Sequence, residues 1–215
     1  MSLLCKVSKN PEVNLNRFRK AVAQNNHAAV QYLWKHVDVA HHSGDLLQVA
    51  AQHSDGALIQ KLLEYVDTSS QSFYDALRDV VSYPINPYWQ EVFPLFLDAA
   101  SHKAKASFLL NYLVFAQYLR SDVVDMVANH IKHDSQVNLF HVLAKKSAQN
   151  NRVLALKYIW PHCNPKLFFE EHPLSVWSTQ KADTFDFLFS EFSKVQRDTL
   201  LQHVDEGVPS FTKKI

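Results

Sequence analysis

Ala23-Gln24-Asn25-Asn26, followed by Tyr32-Leu33-Trp34 and His36, returns later in the chain as Ala148-Gln149-Asn150-Asn151, followed by Tyr158-Ile159-Trp160 and His162. The tetrapeptides are displaced by 125 residues (148 minus 23) and the aromatic segments by 126 (158 minus 32). In both copies an apolar stripe leads into the Asn-Asn break and another leads away from it. Apolar residues recurring every three to four positions on either side of a polar break describe a helix, a turn and a second helix. If four units separate the copies, each is about 31 residues, since 125 divided by 4 is 31.25.

Outward from the first copy the stripes continue. Phe18, Ala21 and Val22 share a face, and Val30, Leu33, Trp34 and Val37 form the next stripe. After a polar stretch through Ser43-Gly44-Asp45 the pattern restarts at Leu46, Leu47 and Ala50. It breaks at His53-Ser54-Asp55-Gly56 and resumes with Ile59, Leu62, Leu63 and Val66, displaced by 29 from the second stripe (59 minus 30). Further stripes run through Phe73, Leu77, Val80 and Val81, then from Trp89 to Ala99 beyond a break at Pro84-Ile85-Asn86-Pro87. Later ones are Phe108 to Gln117; Val123, Val124, Val127 and Ile131; Leu174 to Thr179; and Phe185, Leu188, Phe189 and Phe192.

A helix pair this short cannot bury its apolar face alone, so neighbouring pairs must stack and share a core. The spacing therefore predicts an all-α fold, an α-solenoid of five to six stacked helix pairs. Residues 1–14 form an N-terminal extension, 15–193 the helical repeat array, and 194–215 a capping helix (Lys194 to Val204) and tail. Trp34 and Trp160, at matched positions, are expected in the packing between repeats. The competing architecture is a compact, non-repeating helical bundle.

The spacing resembles the ankyrin-repeat family. First helices ending near Ala23, Ala51 and Ala148 are followed by a polar Asn-Asn or Ser-Asp break. Second helices then carry Leu33-Trp34 and Leu62-Leu63 where that family has its Val-x-x-Leu-Leu stripe. The likeness spans roughly residues 15–193. The family's Thr-Pro-Leu-His tetrapeptide is absent, and so are the glycines of its hairpin tips, so long β-hairpin fingers are not expected. Eroded arrays of this kind look similar to those in effectors that intracellular bacteria deliver into host cells. That likeness implies a protein that acts in a host cytosol.

Composition narrows the function. Hydrophobic residues make up 47% of 215, enough for a sizeable core. Only 3 residues are Gly, too few for phosphate-cradling loops. Lys and Arg total 22 against 21 Asp and Glu, so no concentrated basic face calls for nucleic acid. Cys5 and Cys163 make no CxxC and no disulfide framework, which points to a reducing, cytoplasmic compartment. The opening residues lack the apolar run of a signal peptide, so export would use a route without one. The longest apolar stretch, Phe108 to Phe115, is too short to span a membrane.

Twelve histidines invite a metal, yet His41-His42 and the His130/His133 pair lack the third and fourth ligands that zinc requires. His36, His130 and His162 fall near helix ends, where a cation meets the negative end of the dipole. Glu170-Glu171 and the Asp183/Asp186 pair read as capping and solvated acids. No Gly-x-Ser-x-Gly, Walker or dinucleotide motif occurs, so no catalytic residue, cofactor or metal is expected.

The reading is thus a protein–protein interaction module that binds a partner protein along the groove lined by first helices, with a monomer favoured. Helical position places Arg19, Tyr74, Arg78, Asn111, His141 and Lys145 on the solvent side of those helices. Tyr88 and Trp89, beside the Tyr83–Pro87 break, are further candidates, because exposed Tyr and Trp recur as binding hot spots. The rival class is a helical cysteine-dependent hydrolase or transferase with Cys163 as nucleophile. An RNA-binding helical repeat is a second rival, disfavoured by the even charge balance.

Overall fold

A computed structural model of the protein describes residues 7–82, 86–116, 119–131, 133–164 and 182–191. Among these residues the chain forms eleven α-helices and no strand. The helices are α1 (Pro11–Ala23), α2 (His27–Leu33), α3 (Ser43–His53), α4 (Gly56–Leu63), α5 (Gln71–Val81), α6 (Trp89–Ala99), α7 (His102–Phe115), α8 (Ser121–His130), α9 (His133–Gln149), α10 (Val153–Ile159) and α11 (Ala182–Glu191). Short 3-10 turns, Trp34–His36 and Trp160–His162, extend α2 and α10. No described helix is long and apolar enough to cross a membrane. Two compact units divide the chain, Met1–Phe108 and Leu109–Ile215.

The turn after α1 explains the repeated asparagines. Asn25 and Asn151 adopt φ of 50° and 52°, the left-handed region that costs most residues dearly and asparagine less. The Asn26 N–H donates to Ala21 O (2.9 Å) and the Asn25 N–H to Val22 O (2.9 Å). The Arg152 N–H donates to Ser147 O (2.8 Å) and the Asn151 N–H to Ala148 O (2.9 Å). Each set is a Schellman ending, in which the reversed chain satisfies the last helical carbonyls. Backbone geometry therefore matches Asn25 with Asn151, a displacement of 126, and corrects the 125 read from the tetrapeptides. One displacement then covers the turn, α2 onto α10, and both 3-10 turns.

In the first unit α3 packs between α1 and α5, and α4 packs on α6. The stripes read from the sequence form its core: Phe18, Leu33, Leu46, Leu47, Ile59, Leu62, Phe73, Leu77, Phe93 and Phe96 are fully buried. Burial of each such side chain stabilises the fold by about 1.5–3 kcal/mol. Ser43-Gly44-Asp45, read as a break, is instead the first turn of α3. There Gly44 is required by close approach, since a Cβ would lie 2.6 Å from Ser72 Cβ on α5.

Polar ties join helices of this unit across 32 to 35 positions of sequence. The buried Ser54 hydroxyl donates to Val22 O (3.0 Å). The Asn86 amide, wholly buried, donates to Ala51 O and Ser54 O, both at 2.9 Å. The Gly56 N–H at the start of α4 donates to Glu91 Oε1 of α6 (3.2 Å). Each bond removes the desolvation cost of a buried backbone group.

In the second unit α10 packs on α9, α8 and α11. Phe140, Leu143, Ala144, Leu156, Ile159 and Leu188 are buried there. The Arg152 guanidinium donates to Ala116 O (2.7 Å), and Thr184 Oγ1 donates to Asn151 Oδ1. Trp160 is 7% exposed, whereas its counterpart Trp34 is half-buried, so the expected burial is met fully only in the second unit. Cys5, Tyr83 to Ile85, Gln117, Glu170-Glu171, Leu174 to Thr179, Phe192, the capping helix and the His133 and Phe185 side chains lie outside the described residues.

Candidate functional site

Three helices of the first unit, α1, α3 and α5, carry a lattice of polar side chains. Arg19 donates through Nε to Asp45 Oδ2 (2.7 Å) and through NH1 to Asn16 Oδ1 (3.2 Å). Gln52 and Gln48 of α3 donate to Asp79 Oδ2 of α5 at 3.0 and 3.4 Å. Arg78 lies 3.3 Å from Asp75 and 3.5 Å from Asp79. Both arginines are thus solvent-accessible and paired with carboxylates. Exposed pairs of this kind contribute little to stability, about 0–1 kcal/mol, but they orient the guanidinium groups. Tyr74 sits one turn before Arg78, half-buried, with its ring edge on Phe73 (6.4 Å between centroids).

In the second unit Asn111 is exposed on α7 and Lys145 is half-buried on α9. His141, expected at the surface, is only 2% exposed, and its Nε2 accepts the Asn164 N–H (3.1 Å). It thus reaches from the core to a part-buried backbone group of an exposed residue.

At the break before α6 the two aromatics part company. Tyr88 is exposed, but Trp89 is buried at 8%, which removes it from the surface set. Asn86 causes this: its Oδ1 accepts the Tyr88 N–H (2.7 Å) while its amide binds the end of α3. The resulting Asx turn starts α6 against the core and turns Trp89 inward. The Pro-Ile-Asn-Pro sequence carried the signal for that turn.

Two further tyrosines of the first unit, Tyr32 and Tyr65, are exposed. Trp34 packs edge-on to both Phe18 (5.6 Å) and Tyr65 (5.9 Å), with Lys61 Nζ 4.0 Å from its ring centroid. In the second unit Trp160 meets Phe187 edge-on at 5.9 Å, but there the lysine, Lys157, comes from the tryptophan's own helix and its Nζ lies 5.8 Å from the Phe187 centroid. Cation–π contact of this type is worth about 0.5–1 kcal/mol at exposed sites. A cleft of about 530 Å³ beside it is lined by Val153, Lys157, Asp183, Asp186, Phe187 and Ser190.

Cys163 is half-buried at the end of the 3-10 turn Trp160–His162. Its thiol is directed at the carbonyls of Phe140 and Ile159, each at 3.5 Å. Burial pushes its pKa up to about 12, so the reactive thiolate is scarce at neutral pH. Neighbouring His162 is engaged elsewhere, with Nε2 2.9 Å from Asp125 Oδ1 and its ring stacked 4.9 Å from Phe140. Among the described residues no three His, Cys, Asp or Glu side chains gather as metal ligands. No protein-family model matches the chain, and no curated protein or solved structure matches it.

Proposed function

We propose that the chain is a protein-binding module: an α-solenoid of stacked helix pairs, ankyrin-like in spacing, that captures a partner protein on its first-helix face. The observation that carries this reading is the side-chain lattice over α1, α3 and α5, where Arg19, Gln52, Asp79 and Arg78 are held in position before any partner arrives. Pre-ordered side chains lose less entropy on binding, and Arg and Tyr anchors dominate interface energies. The repeat reading draws support from the shared turn at Asn25 and Asn151 and from inter-pair ties such as Asn25–Asp55 and Asn86–Ala51. The likeness to arrays of bacterial effectors extends the proposal to a partner in a host cytosol.

A titration of the captured partner against the Tyr74→Ala/Arg78→Ala double variant tests the face. Affinity should fall about 30-fold, the equivalent of ~2 kcal/mol, with the melting temperature nearly unchanged. Full affinity in that variant would reject this face. Iodoacetamide labelling separates the enzyme rival: Cys163 should react only slowly at neutral pH until the protein unfolds. Fast, selective alkylation of the folded chain, together with lost activity in Cys163→Ser, would replace the binding module with a cysteine enzyme.

A further inference from the structure

We draw no further inference here: the strongest candidate, the cleft between α10 and α11 lined by Val153, Lys157, Asp183, Asp186, Phe187 and Ser190, carries nothing because its carboxylates are exposed and nothing in the structure shows what covers it.

Discussion

The turns at 24–26 and 150–152 share a backbone and differ in chemistry. Each ends a helix with a left-handed asparagine, and each starts a seven-residue helix that closes in a 3-10 turn. In the first, Asn26 caps α2 by accepting the Ala29 N–H (3.0 Å), and Asn25 exchanges hydrogen bonds with Asp55. His27 Nε2 adds a contact to the same carboxylate at 2.7 Å. In the second, Arg152 stands in the place of Asn26 and gives no side-chain cap, reaching instead to Ala116 O. Val153 replaces His27, and Asn151 pairs with the neutral Thr184. The left-handed residue and its Schellman bonds shape the turn, while the charged or neutral side chains around it are interchangeable fastenings.

The sharpest test of this equivalence is the largest in energy. Trp160→Ala should cost about 3–5 kcal/mol in denaturant unfolding, and Trp34→Ala distinctly less because Trp34 is less completely buried. Equal costs would mean that burial does not distinguish the copies.

Next in size is the left-handed position itself. Valine at Asn25 or Asn151 should destabilise by about 1–3 kcal/mol, since a β-branched side chain clashes at positive φ. Asn25→Gly and Asn151→Gly should recover most of that loss. The residual cost should be greater at Asn25, whose side chain makes two hydrogen bonds with Asp55. If glycine fails to rescue either site, backbone strain is not the reason for asparagine.

The smallest effect separates the fastenings by pH. Desolvation raises the Asp55 carboxyl, but hydrogen bonds from His27, Asn25 and the Leu58 amide outweigh it and hold it below its ordinary value. A depressed folded-state pKa stabilises above the unfolded value, about 3.9, and that contribution is lost as pH falls through the folded value. Acid unfolding should therefore be less steep in Asp55→Asn, and unchanged in Thr184→Val. An acid limb identical in Asp55→Asn would show the carboxylate to be idle.

How far the candidate surface was legible turns on register. Counted at 125, His141 falls opposite Asn16, which is exposed; counted at 126 it falls opposite Leu15, buried at 3%. One residue rotates a helical side chain by about 100°, so a single step carries it from solvent to core. The register at 126 also pairs Lys145 with Arg19 (145 minus 19). Trp89 had no counterpart to correct it, because its burial follows from Asn86 reaching a helix end 35 positions away.

Apolar recurrence every three to four residues, interrupted by Asn-Asn and Ser-Asp, determined by itself that the described chain is helical and which residues supply most of the first unit's core. Those properties depend on neighbours within one or two turns. Tertiary structure alone decided that Arg19 pairs with Asp45 of the next helix but one, that Cys163 is desolvated, and that His141 accepts a backbone N–H. Each of these outcomes depends on groups contributed from another turn or helix, and periodicity along one helix holds no information about what that neighbour presents.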